Sequence, residues 1–178
     1  MIVPANCRVR NPCVHPRTLG HVPNELTHVD ATGAARMVDV SGKEVSVRRA
    51  VASGTVHTTA AVIDLLHAGD LPKGDALGVA RLAGIMGAKR TPDLVPLCHP
   101  IALHGVTVEL TVEATSVHIE VTVKTADRTG VEMEALTAVV AAGLALIDMV
   151  KAVDPAASID AVRVLRKEGG KTGTWVRE

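Results

Sequence analysis

The chain has 178 residues, of which 47% are hydrophobic and 21% charged, and its 19 basic residues balance 19 acidic ones. This composition supports one globular domain with a sizeable core and excludes an intrinsically disordered chain. The zero net charge argues against non-specific binding to nucleic acid or to an acidic membrane. The near absence of aromatic residues argues against stacking on single-stranded bases.

The N-terminal residues 1–25 contain four of the nine prolines and show no hydrophobic periodicity. We therefore expect a flexible N-terminal extension over 1–25 and a folded domain over 26–178. Three residues of the extension, Cys7, Cys13 and His15, are too few and too loosely spaced to indicate a metal site. The N-terminus lacks the continuous apolar stretch of a signal peptide. Three cysteines in all fit a reducing compartment, so we expect a cytoplasmic protein that does not enter a membrane.

The N-terminal half of the domain begins with strand-like patterns. Alternating apolar and polar residues predict strands at 36–41 and 44–58, joined by a turn at Ser41-Gly42-Lys43. Two helices are predicted next. Thr58 or Thr59 can cap a short helix that ends at Leu66, and Asp75 can cap a second helix over residues 76–88. The prolines at 96 and 100 then indicate loop or single turns.

The C-terminal half of the domain contains a predicted hairpin, a long helix and a last strand. GVTVELTVEA at 105–114 and SVHIEVTVKT at 116–125 alternate with period two, which predicts two paired strands. A helix is predicted over about 130–152 and a strand over 157–168. Strands occur in pairs rather than in regular βαβ alternation, so we expect an α+β fold, mostly antiparallel, with helices on one face of the sheet.

The long helix carries the first candidate chemistry. Its predicted apolar stripe consists of Leu136, Val140, Gly143, Leu144, Ile147 and Val150. Asp148 and Lys151 are three residues apart at the edge of this stripe and can contact each other. They are either an acid–base pair or a surface ion pair. Near the helix start, Thr129 and Glu132 match a capping box, and Glu134 is predicted to lie on the solvated face.

LVPLCHP at residues 94–100 places Cys98 beside His99 within a loop that contains two prolines. Adjacent residues rarely supply two ligands to one tetrahedral ion, and neighbours in an extended loop point to opposite sides. A zinc site and a Cys–His dyad are therefore both disfavoured. The loop either presents the imidazole of His99 and its backbone amides to a ligand, or His99 is a buried structural residue.

GGKTG at residues 169–173 lacks the first glycine of a P-loop and no helix follows it, which excludes that motif. Glycine does allow the backbone to approach a ligand closely. The glycines, together with Lys167 and Lys171, are therefore candidates for a phosphate-binding loop.

Four long stretches resemble one known family. LTHVDATGAARMVDVS, GDALGVARLAGIMGAKRTPDLVPLCHP, TGVEMEALTAVVAAGLALIDMVKAVD and VRVLRKEGGKTG look like the successive signature stretches of the cyclic pyranopterin monophosphate synthase family, called MoaC. The resemblance covers residues 26–176 in order and without large gaps. It implies that 26–178 is a MoaC-like catalytic domain, and residues 1–25 lie outside it.

The resemblance implies an activity, a fold and an assembly. The family is a lyase of molybdenum cofactor biosynthesis that converts 3′,8-cyclo-7,8-dihydro-GTP to cyclic pyranopterin monophosphate with release of pyrophosphate. Its fold is ferredoxin-like, and it forms a homohexamer, a trimer of dimers, with active sites at subunit interfaces. The conversion is a rearrangement with elimination, so no cofactor is required, although Mg²⁺ on the substrate phosphates is compatible with it.

The resemblance also implies site residues. The catalytic positions correspond to Asp148, Lys151 and Lys73. The substrate-binding positions correspond to Leu97, Cys98, His99, Met133, Glu134, Arg48, Lys89 and Lys167. No metal site is implied. The chain departs from the family at Ile147 and Val150, where Tyr and Cys are frequent. The alternative is a non-catalytic oligomer on the same fold that binds a purine nucleotide or a pterin.

Overall fold

The computed structural model describes residues 29, 32–171 and 173–178, so the extension predicted over 1–25 lies outside the described residues. The described strands are β1 (Ser46–His57), β2 (Gly105–Val112), β3 (Ser116–Asp127), β4 (Ser158–Glu168) and β5 (Trp175–Val176). The described helices are α1 (Ala60–Ala68), α2 (Ala76–Lys89), α3 (Thr91–Leu94) and α4 (Glu132–Val150).

All strands form one antiparallel sheet in the order β2-β3-β1-β4-β5. From β1 to β4 the chain runs through β1, the three helices α1 to α3, the hairpin β2–β3, the long helix α4 and β4. The predicted α+β class is confirmed. The central strand β1 pairs with β3 along its whole length and with β4 on its other edge, so both of its edges are occupied.

The predicted boundaries at the helix starts are confirmed by their caps. Thr59 accepts a hydrogen bond from the Val62 amide at 3.4 Å and caps α1. Asp75 Oδ1 accepts one from the Gly78 amide at 2.8 Å and caps α2. Short polar side chains at these positions satisfy amides that have no partner within the helix.

The strand predicted at 36–41 is wrong. Residues 36–40 have no regular structure, and the nearest pairing is an isolated bridge between Val29 and Ala35. Alternation of apolar and polar residues requires only an extended chain, whereas a strand also requires a free edge to pair with. The next strand along the chain, β1, pairs with β3 and β4, and this segment runs instead over the surface near the loop that contains His99.

Small residues allow α4 to pack closely on the sheet. Gly54 of β1 lies against Val139 of α4, and Gly143 of α4 lies against Val56 of β1. Side chains this short bring backbone close to backbone while interior packing stays dense. α2 lies antiparallel to α4, since Lys73 at its start contacts the end of α4 and Gly87 near its end lies against Thr137.

The length and composition of α4 would also suit a membrane span, with a mean hydropathy of 1.8 over 18 residues, but half of that window is buried inside the fold. α4 is thus a core helix, although its outer face is partly apolar. Val140 and Leu144 from the predicted stripe are 37% and 58% exposed. The buried face is built instead on alanines and on Val139, Leu146 and Met149.

Gly54 is predicted to be essential for this packing. A Cβ atom there would lie 2.7 Å from Val139 Cγ1 and 3.2 Å from Val162 Cγ2. We expect Gly54→Ala to lower the free energy of unfolding by about 1–3 kcal/mol through overpacking, measured by chemical denaturation. Gly105→Ala is the matched control, because its Cβ would meet only Lys124 Cβ at 3.9 Å. Equal effects of the two substitutions would contradict the role given to Gly54.

Candidate active site

The first cluster lies at the C-terminal end of α4, where one carboxylate receives two ammonium groups. Lys73 Nζ donates to Asp148 Oδ2 at 2.8 Å and to the Asp148 backbone oxygen at 2.8 Å. Lys151 Nζ lies 2.7 Å from Asp148 Oδ1. The three positions that the family resemblance assigns to catalysis therefore form one hydrogen-bonded group, the Asp148 cluster.

Local structure sets the positions of the two lysines. Lys151 is the C-cap of α4, three residues after Asp148, so its side chain returns along the last turn. Lys73 lies in the turn between α1 and α2, where the buried side chain of Leu71 anchors the chain. Gly74 then adopts a φ of 87°, which reverses the chain into the α2 cap at little steric cost.

The two lysines change the acidity of Asp148. Hydrogen bonds from Lys151 and then Lys73, reinforced by their charges, lower the pKa of Asp148 to about 2. The carboxylate is therefore ionised at every pH at which an enzyme normally works, and it is a weak base. All three side chains remain about half exposed to solvent. The cluster carries one net positive charge, which suits an anionic ligand.

The second cluster lies near the other end of α4 and encloses a cavity of about 450 Å³. Five predicted substrate-binding residues line it together: Leu97, Cys98, His99, Met133 and Glu134. The remaining lining comes from the segment 38–43 and the β3–α4 connection. His99 Nε2 donates to the Val38 carbonyl at 2.7 Å, which fixes the imidazole in the wall of this cavity, here called the Glu134 cavity.

Glu134 is the most unusual side chain of the cavity. It is 3% exposed, and its Oε2 has no hydrogen-bond partner in the described part of the chain. Burial, with a further contribution from the charge of Glu132, raises the pKa of Glu134 to about 7. The prediction that Glu134 lies on a solvated face is wrong, because the buried arc of α4 is centred on its alanines and not on the larger apolar residues.

The capping box predicted at the start of α4 is also wrong. The N-cap is Val131 and has no side-chain cap hydrogen bond. Glu132 Oε1 lies instead 3.3 Å from Lys167 Nζ, so the carboxylate forms an ion pair with β4. The carboxylate of Glu132 thus pairs with the ammonium group of Lys167 on β4 and does not cap the helix.

Cys98 does not have the character of a nucleophile. Burial, and then the charge of Glu134, raise the pKa of its thiol. A thiol with a raised pKa carries little thiolate at neutral pH. Within the described residues, no group of three or more His, Cys, Asp or Glu side chains could hold a metal ion. Cys7, Cys13 and His15 lie outside them.

The predicted basic positions surround the same end of α4. Arg48 donates from Nε to the Asp127 carbonyl at 2.9 Å and from Nη2 to the Arg128 carbonyl at 3.0 Å. Lys167 pairs with Glu132, and Lys89 is exposed in the last turn of α2. Two further cations, Lys43 and Arg128, lie here as well, and no local motif in the sequence pointed to either one.

Comparison with known proteins shows the family of this chain. Residues 37–170 match the model of the MoaC family. The chain is 64% identical to cyclic pyranopterin monophosphate synthase of Streptomyces griseus over 154 residues, which is 86% of this chain and 87% of the relative. The chain belongs to the MoaC family. The Streptomyces coelicolor protein of the same name is 59% identical over 163 residues, 91% of this chain and 96% of the relative. The Corynebacterium efficiens protein, also of that name, is 59% identical over 152 residues, 85% of this chain and 98% of the relative.

This MoaC chain keeps its two clusters apart. Met133 and Asp148 stand near opposite ends of α4, and 15 residues of helix separate them by roughly 22 Å. A lysine side chain cannot cross that distance. Within one chain, the Asp148 cluster and the Glu134 cavity therefore cannot act on the same atoms of a small ligand.

Glu134 should make the stability of this MoaC protein depend on pH. Its pKa of about 7 in the folded chain exceeds the ordinary value of 4.5. Below about pH 4.5 the group is neutral in both states. Between about pH 4.5 and 7 the carboxyl ionises in the unfolded chain before it does so in the folded one, so the free energy of unfolding falls as the pH rises. Above pH 7 this loss of stability is constant. Relative to wild type, we expect Glu134→Gln to gain stability over this range, by up to about 3 kcal/mol, in denaturation series at each pH.

Glu109→Gln, at an exposed position of β2, is the control for this experiment and should leave the pH profile unchanged. If Glu134→Gln and wild type gave parallel profiles between pH 4.5 and 7.5, Glu134 would not be held as a neutral acid.

Proposed function

We propose that this chain is a cyclic pyranopterin monophosphate synthase, the lyase that converts 3′,8-cyclo-7,8-dihydro-GTP to cyclic pyranopterin monophosphate and pyrophosphate in molybdenum cofactor biosynthesis. The observation that carries the proposal is the Asp148 cluster, in which Lys73 and Lys151 bond to opposite oxygens of one carboxylate at 2.8 and 2.7 Å. Relatives that are about 60% identical to this chain bear the name cyclic pyranopterin monophosphate synthase.

The roles follow from the electrostatics. We assign proton transfer to Lys73 and Lys151, because an ammonium group can both donate a proton and stabilise developing negative charge. Asp148, with a pKa lowered to about 2, holds the two lysines in position and is too weak a base to keep a proton itself. The rearrangement needs no redox cofactor, and any Mg²⁺ would bind through the substrate phosphates.

The Glu134 cavity suits the heteroaromatic part of the substrate. Its walls combine apolar side chains such as Leu97 and Met133 with the imidazole of His99 and the carboxyl of Glu134. A buried carboxyl with a pKa of about 7 can donate or accept a hydrogen bond at a ring nitrogen or carbonyl near neutral pH. Glu134 is therefore assigned to recognition of the ring edge.

We propose that a complete site needs two copies of the chain. The roughly 22 Å between the two clusters of one chain is too far for one small substrate. A two-fold axis that relates two α4 helices in antiparallel orientation would bring the Asp148 cluster of one copy to the Glu134 cavity of the other.

The outer face of α4 supports this arrangement. Met133, Val140, Leu144 and Asp148 recur at intervals of seven or four residues, so they lie along one side of the helix. Val140 lies seven residues from Met133 and eight from Asp148, and it is exposed together with Leu144. An antiparallel contact centred there would bury both apolar residues. It would also set Met133 of one copy beside the partner's Asp148.

The full assembly proposed is the homohexamer of the family, built as a trimer of such dimers, in the cytoplasm. The exposed apolar residues of α2, which are Val79, Leu82 and Met86, lie on the helical layer beside α4 and would extend the dimer contact. Large exposed apolar surfaces of this kind mark interaction sites.

Lys151→Met tests the reaction. It keeps the length and apolar stem of the side chain but cannot carry a proton or bond to Asp148. We expect pyrophosphate release from the cyclised GTP intermediate to fall by about 10²–10⁴, with the oligomer unchanged by light scattering. Near-normal turnover in Lys151→Met would remove the lysine from the mechanism. Binding of the intermediate without turnover by the wild type would favour the non-catalytic alternative.

Mixing two impaired variants tests the shared site. Lys151→Ala disables the Asp148 cluster and His99→Ala weakens the Glu134 cavity. In a mixed dimer, one site receives both lesions and the other receives neither. We expect co-refolded mixtures to recover up to about a quarter of wild-type turnover, from random pairing of the two chains. If the mixture stayed as inactive as its components, each site would belong to a single chain.

A further inference from the structure

Asp154 lies three residues after Lys151 and is almost completely buried, with 7% of its surface exposed. Among the described residues it is the only buried acidic side chain besides Glu134. No Lys, Arg or His nitrogen of those residues lies within 4.0 Å of its carboxylate. Removing a carboxylate from water is costly unless hydrogen bonds replace the water, so the partners of Asp154 indicate its role.

Two hydrogen bonds replace this water, and their donors belong to different segments of the chain. Asp154 Oδ1 accepts from the amide of Ala156 at 3.0 Å, within a local turn. Asp154 Oδ2 accepts from the hydroxyl of Thr58 at 2.8 Å, across 96 positions of sequence. The carboxylate therefore ties the chain that follows α4 to the chain that precedes α1.

The chain that follows α4 forms the turn in which Lys151 lies. Here the Val150 carbonyl accepts hydrogen bonds from the amide of Val153 at 2.8 Å and from that of Asp154 at 3.0 Å. The side chain of Asp154 fixes the far end of this turn through its bond with Thr58. The backbone of Lys151 is thus held from both sides, by the helix before it and by Asp154 after it.

The chain that precedes α1 leads, through that helix, to Lys73. Thr58 is itself anchored, because its amide donates to the Thr115 carbonyl at 3.0 Å in the β2–β3 hairpin. Of the nine residues of α1, only Val62 and Ile63 are buried. A helix with so few buried contacts is easily displaced. A fixed point at its start therefore also limits where the turn that carries Lys73 can lie.

We propose that Asp154 is a positioning residue for the Asp148 cluster and acts through its hydrogen bond with Thr58. That bond holds the turn of Lys151 and the helix that leads to Lys73 at the separation at which both ammonium groups meet one carboxylate, at 2.7 and 2.8 Å. The oxygens of Asp154 bond to Thr58 and Ala156, so it acts by placement and not by proton transfer. The effect on turnover rests on the function proposed above, whereas the effect on the lysines does not.

The Asp148 cluster is sensitive to small displacements of these segments. Lys73 Nζ bonds at once to the side chain and to the backbone oxygen of Asp148, both at 2.8 Å. Hydrogen bonds weaken steeply away from their preferred geometry. About half of each lysine side chain is exposed, so water can replace Asp148 as soon as the two segments separate.

Acetylation of lysine side chains tests the positioning role in the full-length protein without turnover. An amine reacts only after it has released its proton and its hydrogen-bond partner, so lysines held by Asp148 react slowly. Limited acetylation followed by mass spectrometry gives the rates of Lys73 and Lys151 relative to the exposed Lys124. In Thr58→Val, which keeps the shape without the hydroxyl, we expect both relative rates to rise about fivefold, the factor for the loss of one hydrogen bond.

Thr58→Ser restores the hydroxyl and should return both rates to those of wild type. Ser116→Ala is the matched control, because it removes a hydroxyl group that donates to a carboxylate, Glu113, at 2.6 Å in the neighbouring hairpin. Its relative rates should stay within about twofold of wild type. Thr58→Ala decides the matter if Thr58→Val unfolds, since the smaller side chain leaves space for water beside Asp154.

Turnover of the cyclised GTP intermediate supplies the second measurement. In Thr58→Val we expect kcat per folded chain to fall about 10–100-fold with KM within about twofold, because the lysines are displaced while the Glu134 cavity is untouched. Thr58→Ser should recover kcat. A purely structural role for Asp154 would lower the free energy of unfolding without changing the acetylation rates or the kcat of the folded chain.

Acetylation rates in Thr58→Val equal to those of wild type would overturn the positioning role. Raised rates with an unchanged kcat would also overturn it, and the proposed function would then stand without it. If the rates rise but the wild type does not turn over the intermediate, Asp154 is retained as a positioning residue and the proposed function fails.

Discussion

The rigidity of α4 and its close seat on the sheet are the constraint on which the rest of the structure depends. Glycines on both sides, Gly54 of β1 and Gly143 of α4, fix the height of the helix over the sheet. One end carries Asp148 and the other carries Glu134. The distance between the two chemical groups is therefore a property of the helix length. The site proposed here therefore takes its second group from the α4 helix of another copy.

The two carboxyl groups at the ends of α4 have opposite environments, and this sets different chemistry for each. Asp148 is exposed between two ammonium groups and has a pKa of about 2, whereas Glu134 is buried without a partner and has a pKa of about 7. Groups on one element whose pKa values are driven apart in this way serve different roles. At neutral pH, the first fixes cations and the second can still exchange a proton.

Local rules predicted the parts of the fold that depend on neighbouring residues. The caps at Thr59 and Asp75, the β2–β3 hairpin and the contact of Asp148 with Lys151 all follow from spacings of a few residues. The pairing of Lys73 with Asp148 spans 75 positions, and only the family resemblance anticipated it. The cavity lined by Lys43, Arg128 and Lys171 joins three segments that no periodicity of the sequence links.

The errors have physical causes of the same kind. The stripe on α4 was predicted from apolar character and spacing. The contact with the sheet instead selects small residues where the two backbones approach each other. The large Val140 and Leu144 were therefore left outside and Glu134 was turned inward. The strand predicted at 36–41 failed because alternation indicates an extended chain and carries no information about a pairing partner, and the next strand, β1, pairs with β3 and β4 instead.

Ile147 and Val150, where the family resemblance implies frequent Tyr and Cys, both lie on the core side of α4. Val150 is 1% exposed within the hydrophobic core, and Ile147 packs against that core from the turn that leads to Asp148. Neither side chain takes part in the hydrogen bonds of the Asp148 cluster, whose three contacts all involve Lys73, Lys151 and the aspartate itself. A thiol at position 150 would lie in the core, and a phenol at position 147 would start from the core side of the same turn. With aliphatic residues at both positions, the side chains that bond to Asp148 are Lys73 and Lys151, and these two lysines fix the geometry of the Asp148 cluster.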